Sequence, residues 1–226
     1  PISSQILLYT VLFSLGLIII SDELDRIIQV FIPAPDYITD LDQLLRPDTI
    51  MGFILLFIAV SIFAPIGEEI LFRGFLQQFL EQYWKDTTKA ILVTSLLFSA
   101  IHFNPYWFIQ IYLLGIMLGF LTWKTNSVIP SIILHGLNNT MAMLFSFSDS
   151  AESSFYTYNG HVAPWIIIFA VIAFWPLKSL GEIRVWSLVV ASIFLLLGLI
   201  NSKLLYPLNF VWVKFGELIG KVVAPL

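Results

Sequence analysis

The chain has 226 residues, of which 58% are hydrophobic and 12% charged, with a mean hydropathy of +0.90. So much apolar surface cannot be hidden in one soluble core, which excludes a soluble domain and makes lipid the solvent. A net charge of −4 with singly scattered lysines and arginines excludes nucleic acid as a partner, and the lack of cysteine excludes disulfides, thiolate nucleophiles and thiolate metal sites.

Charges and Pro/Gly/Asn clusters, read as punctuation between uncharged runs, predict seven spans at about 3–20, 49–83, 88–103, 106–123, 128–147, 163–178 and 185–201. The expected fold is all-α, a polytopic transmembrane helical bundle that forms one integral membrane domain over residues 1–226. The first run ends in Asp22, Glu23 and Asp25 and has neither a basic start nor a small-residue cleavage pattern, so it reads as a retained helix and not a signal peptide. Because the chain opens with Pro and not Met, a short preceding piece is expected.

From Asp22 to Asp48 the chain carries seven carboxylates against Arg26 and Arg46, with Pro33 and Pro35 interrupting it; an acidic loop on a surface or in the interface is expected. Asn104-Pro105 interrupts the uncharged stretch between Lys89 and Lys124 and predicts a tight helical hairpin. Gly115 and Gly119 in its second arm form a small-xxx-small pair, read as close helix packing without chemistry. Toward the C-terminus, Lys214, Glu217 and Lys221 recur among apolar residues at spacings of three and four. This favours an amphipathic interfacial helix over an eighth span. Lys85, Lys89, Lys124, Lys178 and Arg184 fall on one set of alternate loops, which is expected to be cytoplasmic together with the N-terminus.

The second span contains Glu68, Glu69 and Arg73 in otherwise apolar sequence. A charge at the bilayer centre costs roughly 2.5 kcal/mol or more, so it persists when paired or wetted. Glu69 and Arg73, four residues apart with the acid first, share a helix stripe and can pair. Glu68 points about 100° away and is left for other partners. Pro65, without an amide donor, predicts a kink or helix restart just before them. Phe98 and His102 share a face of the third span, and His135 and Asn139 share a face of the fifth. A buried glutamate near imidazoles can serve as general base toward water, and imidazole and amide donors can stabilise the oxyanion formed when water attacks a peptide carbonyl.

Glu68-Glu69-x-x-x-Arg73, Phe98-x-x-x-His102 and His135-x-x-x-Asn139 match in type, order and spacing the three motifs of the CAAX prenyl protease and bacteriocin-processing (CPBP, or Abi) family of membrane endopeptidases, which includes the type II CAAX endopeptidases. The resemblance covers about residues 49–147. It implies Glu68 as the water-activating glutamate with His102 orienting it or the water, His135 and Asn139 on the oxyanion side, and Glu69–Arg73 as a supporting ion pair. It further implies a peptide hydrolase, acting without a cofactor on a membrane-bound or prenylated peptide tail, in a bacterial or archaeal inner membrane. Three other readings stay open: a zinc protease using Glu68, His102 and His135; a proton-coupled transporter; and a non-catalytic immunity or scaffold protein of the same family. His161, outside the motifs, reads as a surface residue.

Overall fold

A computed structural model of the chain describes residues 2–36, 38, 47–147 and 155–174, together with 207, 210 and 214. These fall into two units, 1–149 and 150–226. The described residues are mainly helical.

In the first unit, α1 (Ser4–Phe31) starts where the Ser3 side chain accepts from the Ile6 amide at 3.3 Å. It runs through the acidic cluster that the sequence placed in a loop. Arg26 reaches back one turn to Asp22 at 3.0 Å and Gln29 to Asp25 at 3.5 Å, so the acids are compensated along the helix and nothing interrupts it before Pro33. The loop therefore begins after Phe31 and not at Asp22, and residues 39–46 of it lie outside the described residues.

The second helix, α2 (Ile50–Trp84), is one rod of 35 residues, about 52 Å at 1.5 Å per residue. Thr49 caps its start and Lys85, in the left-handed region at φ 56°, closes it. The α-helical register restarts at Ala64 with Pro65 in its first turn, inside one continuous helix. The chain absorbs the missing donor by widening to π-helical turns over Ala59–Phe63, and again over Ile70–Gln77.

Asp86 caps α3 (Thr87–Ala100), whose 14 residues reach about 21 Å, short of the ~30 Å hydrocarbon layer. The third span thus ends at Ala100, before His102, and not at 103. A turn follows in which the Asn104 side chain accepts from the amides of Tyr106 and Trp107 at 3.0 and 3.4 Å. From there α4 (Phe108–Thr125) runs back along α3 to a left-handed Asn126, completing the hairpin expected at Asn104-Pro105. The last helix of the unit is α5 (Ile129–Phe147), packed against α1, α2 and α4.

By length and composition, Ser4–Phe31, Ile50–Trp84 and Phe108–Thr125 can each cross a membrane. The protein is an integral membrane protein. These three are fewer than the seven spans expected. Of the other four, α3 is too short, α5 is not among the helices that meet both measures, the span expected at 185–201 falls outside the described residues, and so does the end of the one at 163–178. Of the expected C-terminal amphipathic helix, only positions 207, 210 and 214 are described.

The second unit opens with a small antiparallel hairpin, β1 (Thr157–Tyr158) and β2 (His161–Val162). Asn159 and Gly160 both take positive φ, 53° and 82°, as the two-residue turn that matches strand twist requires. His161 is accordingly half-buried and paired with Tyr158, a strand residue where the sequence suggested a surface loop. Pro164 then starts α6 (Pro164–Phe174), and the Trp165 indole donates to the Phe155 carbonyl at 3.0 Å.

Candidate active site

The polar groups of the first unit gather where α2 meets α3, α4 and α5. Glu69, Arg73 and Gln77 succeed one another at four-residue spacing on α2 and are all buried. Arg73 Nη1 pairs with Glu69 Oε1 at 2.6 Å, with both side chains fully buried. Its Nη2 donates to the Gly115 carbonyl at 3.1 Å, and its guanidinium lies over the Phe98 ring, 4.3 Å from the centroid. One turn on, Gln77 Nε2 donates to the Gly119 carbonyl and to Glu81 Oε1, both at 3.1 Å. The glycine pair therefore offers backbone oxygens to the polar stripe of α2 as well as packing space. A Cβ on Gly115 would lie 3.0 Å from Ser95 Cβ, and one on Gly119 only 2.8 Å from Gln77 Oε1. Gln77 escaped the sequence reading, although its position four residues past Arg73 is a legible signal.

His135 enters from α5 and is buried. Its Nδ1 lies 2.9 Å from Glu69 Oε1, the oxygen that also takes Arg73. With a carboxylate accepting there, Nδ1 carries the proton and the ring orientation is fixed, as in other carboxylate–imidazole pairs. The opposite nitrogen, Nε2, is 3.7 Å from Glu68 Oε2, beyond direct hydrogen-bond length. Glu68 is partly open, with 31% of its side chain exposed, while Oε2 itself is buried and accepts no hydrogen bond from the described residues. The helical-wheel reading paired Glu69 with Arg73 alone; the fold adds His135 to that pair.

Phe98 is the hub around which these groups turn. Its ring meets His102, His135 and Phe72 edge to face, at centroid distances of 4.9, 5.6 and 5.3 Å. His102 lies past the end of α3 and is exposed, its Nδ1 held 2.7 Å from the Phe98 carbonyl. The structure thus brings Glu68, Glu69, Arg73 and His135 together and sets His102 against the same aromatic ring. No hydrogen bond or ion pair joins His102 to Glu68 among the described residues.

Asn139, one turn beyond His135, donates from Nδ2 to the Val60 carbonyl of α2 at 3.0 Å. This leaves one of its two amide protons for another acceptor. Among the described residues, no three His, Asp or Glu side chains are grouped so as to hold a metal ion. Two carboxylates, a guanidinium and an imidazole in one place can move a proton to or from water and stabilise a developing oxyanion.

Residues 50–141, from the start of α2 well into α5, match the family model of type II CAAX prenyl endopeptidase, Rce1-like. That segment is similar to the family, and it is less than half of the chain. Every residue of the cluster just described lies within the matched segment. Two further proteins are similar to this chain. An uncharacterized 24.3 kDa protein of Escherichia coli is 30% identical over 118 residues, covering 50% of this chain and 53% of that protein. The UPF0177 protein YbdI of Lactococcus lactis subsp. lactis (strain IL1403) is 28% identical over 144 residues, covering 61% of this chain and 77% of its own. The chain matches about half the length of the first of these. No solved structure gives a significant match.

Proposed function

We propose that the protein is an intramembrane endopeptidase that hydrolyses a peptide bond in a membrane-associated or lipid-anchored, CAAX-like substrate with water activated by Glu68. The observation that carries this reading is the chain Arg73–Glu69–His135, which fixes one imidazole nitrogen and presents the other 3.7 Å from a carboxylate oxygen that accepts no hydrogen bond among the described residues. A water beside Glu68 gives it a proton as its oxygen attacks the peptide carbonyl, and the same proton then goes to the leaving amine. The free edge of the His135 imidazole and the second amide proton of Asn139 face the oxyanion.

His102 orients the attacking water. Its Nδ1–H is tied to the Phe98 carbonyl, which leaves Nε2 as an acceptor. The mechanism needs no metal and forms no covalent enzyme intermediate. The protein works in a bacterial or archaeal plasma membrane with its N-terminus in the cytoplasm.

The test is cleavage of a quenched-fluorescent, C-terminally prenylated peptide by purified protein in detergent, comparing wild type with Glu68→Gln and with added chelator. Cleavage lost only in the variant supports the reading, whereas cleavage lost with chelator turns it into a metalloprotease. No cleavage by folded wild type, together with a cellular phenotype unchanged by Glu68→Gln, points to the non-catalytic immunity or scaffold role. Proton counterflow in sealed vesicles points to a transporter.

A further inference from the structure

The wide turn of α2 ahead of the glutamates leaves backbone carbonyls without their helical donors. The Ala64 amide bonds to the Ala59 carbonyl, five residues back, and not to that of Val60. The next amide along, which would serve Val60 in the same widened register, belongs to Pro65 and does not exist. Pro65 likewise denies Ser61 the donor four residues on. The Val60 carbonyl therefore lacks both helical donors inside an apolar segment, where an unpaired backbone oxygen is costly, and the Ser61 carbonyl beside it has lost its four-residue donor.

Both are met by α5. The Asn139 side chain donates to the Val60 carbonyl at 3.0 Å. Gly136, three residues earlier on the same face, passes so close to the Ser61 carbonyl that a Cβ there would lie 2.9 Å from the oxygen. Since that oxygen belongs to a helix backbone, it cannot swing aside. His135 immediately precedes Gly136 and reaches Glu69 from this position.

We infer that the proline-widened turn of α2 is a seat for α5, read by Gly136 and by the amide of Asn139, and that this seat sets His135 against Glu69. Asn139 is thereby a positioning residue for His135 through Val60. The inference extends the proposed function by naming what holds the imidazole in place. Its readouts involve no cleavage, so the two stand or fall separately.

The experiment uses the purified chain in detergent, with thermal unfolding and imidazole ¹⁵N spectra of histidine-labelled protein, the His135 signals being assigned by their loss in His135→Gln. Asn139→Asp keeps the shape and removes the donor. It should lower the melting temperature by about 2–8 °C and disturb the hydrogen-bonded Nδ1 signal of His135. Gly136→Ala should disturb the same signal. In Pro65→Ala, where the restored amide can serve the Val60 carbonyl, Asn139→Asp should cost less than half as much. The inference is overturned if Asn139→Asp melts with wild type and leaves the His135 signals unchanged, or if its cost is the same with Pro65→Ala. Should Pro65→Ala not fold, the Asn139→Asp and Gly136→Ala spectra decide alone.

Discussion

Replacing each of the two adjacent glutamates by glutamine should separate stability from chemistry. Glu69 is fully buried, and its Oε1 holds both Arg73 at 2.6 Å and His135 at 2.9 Å. In Glu69→Gln the guanidinium stays buried without its counter-charge, and the amide oxygen that takes the place of Oε1 is a weaker acceptor for Arg73 and His135 than the carboxylate. Removing one partner of a buried pair costs about 3–5 kcal/mol. For a chain of this size that lowers the melting temperature by about 6–20 °C. Glu68, with 31% of its side chain exposed and no hydrogen bond at Oε2 among the described residues, should cost under about 1 kcal/mol on the same change. Circular dichroism melts of the three proteins in one detergent, run beside the peptide-cleavage assay, give both numbers. Glu68→Gln should melt with wild type and cleave nothing. A Glu69→Gln protein that melts within about 1 °C of wild type would refute the argument that His135 and Arg73 depend on that carboxylate.

Arg73→Lys retains the charge but cannot hold Glu69, the Gly115 carbonyl and the Phe98 face together; a loss of about 1–3 kcal/mol in denaturant unfolding is expected. Gly119→Ala places a methyl 2.8 Å from Gln77 Oε1 and 3.0 Å from Ile91 Cγ2, and should destabilise by about 1–3 kcal/mol in the same measurement. Gly67→Ala is its control. Among the described residues nothing lies within 4 Å of the added methyl in mid-helix, so a gain of about 0.5–1 kcal/mol is expected, and a loss would contradict the described packing of α2.

Much of the site was legible because helical periodicity is a local property. Glu69 and Arg73 meet four residues apart on one rod, and the same rule extends to Gln77, which was overlooked only because an uncharged amide does not stand out in the way an ion does. The acidic end of α1 was misread for a related reason: the charges at Asp22 and Asp25 looked like a loop until their partners Arg26 and Gln29, one turn on, were counted. The Asn159-Gly160 turn, likewise local, carried a hairpin signal that the emphasis on helices passed over.

The sequence by itself determined that lipid is the solvent, that the chain folds as helices, and which ionisable residues need compensation, since hydropathy, i,i+4 spacing and capping all depend on near neighbours. It could not say which of two adjacent glutamates meets a histidine 66 residues away, because that choice depends on the rotation and depth of α5 against α2. Nor could it show that α3 stops after 14 residues, leaving His102 in the turn beyond the helix end. The tertiary structure decided these points through close backbone approach, where Gly115, Gly119 and Gly136 let helices come near enough for carbonyl oxygens and buried side chains to meet.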